Sequence, residues 1–165
     1  MGKPYGTQVD EAGIVNIVIP LPPRTKKNHQ RIFYKKEKTE KGDTKKVPFV
    51  SPSSQYQQYA KDCGVFVRPL QIDYPVNVKA LYYMPTLRTV DLPNLNEALH
   101  DILVEYGLLT NDDCRIIVST DGSRVYYDKE NPRTEVIIEK TETTFPPAKR
   151  KRRGEDKNGQ CIRSL

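Results

Sequence analysis

No stretch of this chain approaches the roughly 20 consecutive apolar residues that span a bilayer, so the sequence predicts no membrane span. Its first residues, MGKPYGTQVDEAG, lack the apolar core of a signal peptide. Myristoylation at Met-Gly asks for Ser or Thr at position 6, where Gly6 stands. Histidine occurs only as His29 and His100, and cysteine only as Cys63, Cys114 and Cys161, widely spaced and without a CxxC pair. That scarcity excludes a recognisable zinc site or disulfide framework and suits a reducing interior. Cys63 and Cys114 read as ordinary semi-buried thiols. Phenylalanine is sparse, at 4, against 10 tyrosines. Tyrosines on predicted helices and strands read as core or interface rather than as base-stacking platforms. Hydrophobic residues make up 36% of the 165 and mean hydropathy is −0.69, which fits one domain of modest core plus tails.

Charge is abundant but uneven. Residues 24–46 hold ten Lys/Arg against three acids, and residues 143–165 hold seven against two. Since the net charge is +6, the rest of the chain carries −6. An acidic body with a basic loop and a basic tail is the distribution expected when basic segments grip a polyanion while body acids hold metal. Solvated, flexible segments are the plain alternative.

Along the chain, residues 13–19 (GIVNIVI) are rich in β-branched residues and predict a strand stopped by the Pro20–Pro23 turn. A basic loop over 24–46 follows. Ser51-Pro52-Ser53-Ser54 predicts the start of a helix running from about Ser53 to Arg68, with Tyr56, Tyr59, Ala60, Cys63 and Val67 as its apolar stripe. Residues 75–83 predict a second strand, 116–119 a third, with 125–127 extending or pairing it, and 133–140 (RTEVIIEK) the last. The expectation is an α+β domain over 13–142, a single small mixed sheet with two main helices packed on it. Residues 1–12 form an N-terminal extension and 143–165 a disordered basic tail.

The most informative stretch is 91–113, DLPNLNEALHDILVEYGLLTNDD. Leu95, Ala98, Leu99, Ile102, Leu103 and Tyr106 recur at helical spacing and define one buried face. Pro93 suits the first turn and Gly107 the C′ position. Asp91 opens the helix, where the dipole favours an anion. Asn111, Asp112 and Asp113 follow Gly107. The helix separates its ends by about 20 Å, so Asp91 and Asp112 approach only if the chain folds back after Gly107. Asn94, Glu97 and Asp101 share the polar face. Read plainly, Asp91 is a cap and Asp112 and Asp113 are turn acids; together they are candidate ligands for Mg²⁺ beside a phosphate backbone.

These residues resemble the RusA family of Holliday-junction resolvases of phages and bacteria. The resemblance runs from about Ile14 to Glu139: IVIPLPP, the Asp-Leu-x-Asn-Leu helix start at 91–95, the Asp101-containing helix, Gly107-Leu-Leu-Thr-Asn-Asp-Asp113, and Glu130-Asn-Pro-Arg-Thr-Glu135. It implies a homodimeric, Mg²⁺-dependent endonuclease (Mn²⁺ a possible substitute) that resolves four-way DNA junctions by paired phosphodiester hydrolysis. It implies a cytoplasmic protein of bacterial or phage origin, with no membrane or small-molecule cofactor. Asp91 and Asp112 carry over directly as primary ligands. Family members have a second Asp where Pro93 stands, and a Lys where Glu97 stands. The expected catalytic set is therefore Asp91, Asp112 and Asp101, with Asp113 and Glu97 as further metal ligands. Arg24, Lys26, Lys27, Arg31 and the tail residues Lys149, Arg150, Lys151 and Arg152 are expected on DNA phosphates. Pro93 and Glu97 keep a catalytically impaired junction-binding protein in view, and the tail a phage recombination adaptor.

Overall fold

The computed structural model describes residues 4–26, 31–38, 42–51 and 53–146. Its centre is β5 (Val76–Met84), where Val76, Val78, Ala80 and Tyr82 point inward at the period-2 spacing of a strand. β8 (Arg133–Lys140) runs antiparallel to β5 on one side and to β2 (Val15–Ile19) on the other. The register aligns Val15, Ile138 and Val78 in one row and Ile17, Val136 and Ala80 in the next. All six are buried, so a one-residue slip of β8 would turn its apolar side chains out of the core. β1 (Gly6–Val9) adds an antiparallel edge on β2, while β6 (Ile117–Ser119) and β7 (Arg124–Tyr127) lie parallel to β5. The architecture is α+β with a mixed sheet and two helices, as the pattern of elements predicts.

Both helices pack on the inward face. α1 (Ser54–Cys63) buries Tyr56, Tyr59, Ala60 and Cys63, and the Ser53 side chain caps it by accepting from the Tyr56 backbone N–H at 3.2 Å. The helix stops earlier than the apolar stripe suggests. A 3-10 turn over Gly64–Phe66 replaces its last turn, and Pro69 forces Arg68 out of helical geometry. Gly64 also sits where a Cβ would fall 2.3 Å from the Tyr106 ring. α2 (Leu92–Glu105) buries Leu95, Ala98, Leu99, Ile102 and Leu103, the leucine and isoleucine side chains each contributing about 1.5–3 kcal/mol of transfer free energy. Gly107, at φ +71°, reverses the chain with Leu108 N–H bonded to Leu103 O.

Two segments differ from the sequence expectation. Residues 1–12, expected as an extension, supply β1, and Thr7 ties it down by donating to Phe66 O and accepting from Arg68 N–H. The basic stretch 24–46, expected as a loop, supplies β3 (Arg31–Lys38), which pairs with β4 (Thr44–Ser51) as a separate two-stranded ribbon. Lysine-rich strands have no apolar alternation, so period-2 reading passes over them. The predicted tail from residue 147 lies outside the described residues. Among the described residues no helix is long and apolar enough to cross a membrane.

Candidate nucleic-acid interface

Asp91 is exposed at the N-cap of α2, and its carboxylate accepts from the Asn94 side chain at 3.1 Å instead of capping the helix amides. Pro93 sits in the first turn, exposed, where no helix hydrogen bond is lost. At about 100° per residue, the remaining polar positions of α2 divide around its buried stripe. Asp101 falls on the flank facing α1. There it pairs with Lys26, whose ammonium also lies 5.8 Å from the centre of the Tyr56 ring. Tyr56 in turn donates its hydroxyl to Ala98 O, at 3.3 Å, and its pKa is raised by burial and then by the charge of Glu105.

Asp112 belongs to the other flank. After Gly107 the chain does fold back: Leu109 N–H bonds Leu103 O, and Thr110 N–H bonds Ile72 O, laying this segment parallel to the approach to β5. The return brings Asp112 beside the half-buried His100, whose pKa is lowered by burial and held up in part by the Asp112 charge. Among the described residues His100 Nε2 has no hydrogen-bond partner. Asp91 stands nine residues N-terminal to His100, about 13 Å of helix rise. Asp113 is committed locally, accepting from the Asn111 side chain and the Arg115 backbone and lying 3.7 Å from the Arg115 guanidinium. Glu97 is exposed on the outer face of α2.

The expected carboxylates are therefore spread along and around one helix. Among the described residues no three His, Cys, Asp or Glu side chains gather where one ion could bridge them. Asp101 departs furthest from the expected set, because α2 turns it toward Lys26, away from the Asp112 flank. The donors do not fit a closed protein cage. A hydrated Mg²⁺ needs only one or two carboxylates, with water and phosphate oxygens as its other ligands.

The cations are placed in two groups. Arg24 donates Nη1–H to Gln55 Oε1 at 3.1 Å, beside the start of α1, and Lys26 is held by Asp101. Lys27 and Lys149, Arg150, Lys151 and Arg152 lie outside the described residues, while Arg31 opens β3. Sequence reasoning did not single out the ribbon lysines. Lys36 faces Lys46 directly across the ladder, and Lys38 lies on the same face opposite Thr44, all exposed. The opposite face is mixed, with Glu37 beside Lys35 at 2.6 Å and opposite Lys45. The signal was the pair of Lys-Lys doublets at 35–36 and 45–46, whose spacing brings cations together once the strands pair.

Fold and site thus define an α+β domain with a mixed sheet, a cationic ribbon and exposed carboxylates at the start of α2 and beside its middle. Among known protein families, none matches the chain. No curated protein matches it either.

Proposed function

We propose that this chain is a metal-dependent, structure-specific endonuclease of the RusA kind, acting as a homodimer on four-way DNA junctions. The observation that carries the nucleic-acid part is the Lys36–Lys46 pair. Like charges directly opposite in a ladder destabilise it, and a phosphate backbone that neutralises both removes the penalty. A two-stranded ribbon also has the width of a DNA major groove. The ribbon and Arg24 bind backbone and shape, not base edges, so affinity falls steeply with salt.

For the chemical step, the resemblance at 91–95 and 107–113 supplies the assignment. Asp91, at the start of α2, and Asp112, beside its middle, would each hold a hydrated Mg²⁺ of its own through exposed oxygens, and such an ion when bound would supply an activated water and charge neutralisation at the phosphate. Burial lowers the His100 pKa, and the Asp112 charge opposes that shift in part. Two protomers supply two copies of this arrangement, as paired incision of a symmetric junction requires. A second reading, a junction-binding protein without cleavage, is favoured by the Lys26–Asp101 pair, which neutralises one expected catalytic acid, and by Pro93 in place of a ligand.

The test is cleavage and binding of a labelled four-way junction in Mg²⁺ or Mn²⁺ by the wild type, Asp91→Asn and Asp112→Asn. Paired nicks lost in both variants support the nuclease. Tight junction binding without nicks in either metal supports the second reading. Junction affinity no greater than that for an unrelated polyanion of equal charge overturns both.

A further inference from the structure

A cleft of about 220 Å³ opens where three connections meet: the Pro22–Thr25 turn after β2, the start of α1 at Ser53 and Gln55, and the Met84–Val90 link from β5 to α2. Its walls carry two guanidinium side chains, Arg24 and Arg88, both exposed at the rim. The Tyr56 amide is capped by Ser53, which leaves the Ser54 and Gln55 backbone amides without intrahelical partners at the start of α1, together with the positive end of the helix dipole. No acid occupies the first turn of α1 to neutralise it. Thr25 lines the same cleft at 8% exposure, and among the described residues its hydroxyl has no hydrogen-bond partner. A hydroxyl shielded from water and left unpaired is unfavourable, and a ligand oxygen would satisfy it. The volume is below the roughly 300 Å³ of sites that enclose whole small molecules, which suits one anionic group.

We propose that this cleft is a phosphate-binding site, with Arg24 and Arg88 supplying charge and the Thr25 hydroxyl and the α1 amides supplying directed donors. Val90 lines the cleft and the next residue is Asp91. A nucleic-acid strand anchored here by one phosphate would therefore pass the carboxylate at the start of α2. The inference deepens the DNA reading and rests on it for the source of the phosphate; free phosphate or a mononucleotide presents the same chemistry.

The experiment follows backbone amide resonances of the full chain during titration with inorganic phosphate, against chloride at matched ionic strength. Saturable shifts at Thr25, Ser54, Gln55 and Arg88 are expected. Arg88→Gln and the isosteric Thr25→Val should each weaken phosphate binding by about tenfold, the loss of a charge-assisted hydrogen bond. Arg88 is exposed, so Arg88→Gln keeps the test decisive if Thr25→Val folds poorly. Shifts no different from chloride, or affinity unchanged in Arg88→Gln, overturn the site. A four-way junction is then added as competitor. Displacement of phosphate identifies a DNA phosphate as the ligand, whereas phosphate binding that the junction leaves untouched retains the cleft for free phosphate or a mononucleotide and tells against the DNA reading. Junction binding without any phosphate response overturns the cleft alone.

Discussion

Lys26 and Asp101 form an ion pair across the gap between the β2–β3 connection and α2. The sequence suggests a DNA contact for one and catalysis for the other; in the fold they neutralise each other. Asp101→Asn should therefore release Lys26 for phosphate. Affinity for DNA should rise and the salt slope should steepen by about one unit, while stability changes by no more than about 1 kcal/mol, as for a half-exposed pair. Fluorescence anisotropy across a salt series measures the first, urea unfolding the second. Weaker DNA binding in Asp101→Asn would contradict this account.

The ribbon makes an opposite pair of demands. Lys36→Glu converts a repulsive cross-strand pair with Lys46 into an attractive one, favourable by about 0.2–1 kcal/mol. The melting temperature should hold or rise, whereas DNA affinity should fall and its salt slope flatten by about one or two units, since one cation is lost and its partner becomes paired. Unchanged DNA affinity would remove the ribbon from the interface.

On the outer face of the sheet, Arg133 donates Nε–H to Glu135 at 2.8 Å and Nη1–H to Asp128 at 3.1 Å, with its guanidinium 3.6 Å from the centre of the Tyr83 ring. Lysine cannot make both hydrogen bonds and lie over the ring, so Arg133→Lys should destabilise by about 1–3 kcal/mol. Urea midpoints report it.

The same site has a pH signature. The Asn131 backbone N–H, followed by the Arg133 guanidinium, holds the Asp128 carboxyl below its ordinary value. In acid the unfolded chain takes up this proton first. Its contribution is therefore present above the ordinary carboxylate range and is lost as pH falls through the folded value. Asp128→Asn should be less stable than the wild type at neutral pH and converge with it in acid, read from unfolding curves along an acid series.

Burial pushes the Cys63 thiol up to about 12, in the core between α1 and the sheet, whereas Cys114 is exposed in the turn before β6. Since the thiolate is the reactive form, iodoacetamide at mildly alkaline pH should label Cys114 within the native protein and Cys63 only after unfolding. Peptide mass spectrometry separates the two, and rapid native labelling of Cys63 would show that this part of the core opens.

Much of the fold could be read directly from local chemistry. The stripe Leu95, Ala98, Leu99, Ile102, Leu103 is the buried face of α2, Gly107 takes the positive φ that its place after the helix predicts, and β8 spans residues 133–140 as expected. Periodicity reports which face of an element is apolar, and those faces found the core. The β3–β4 ribbon escaped because its lysine-rich strands, RIFYKKEK and TKKVPFVS, carry no period-2 alternation in sequence, and their pairing is held by backbone bonds. The cleft escaped because Arg24, Arg88 and Thr25 come from connections far apart in sequence.

The sequence by itself determined two amphipathic helices, the apolar strands of a sheet, and the segregation of positive charge into residues 24–46 and the C-terminal run. Each follows from near-neighbour spacing or composition. Only the tertiary structure decided that Asp101 turns to Lys26 while Asp112 returns to His100. Rotation around α2 and the direction of the chain after Gly107 decide which charges meet, and both depend on how the helix lies on the sheet.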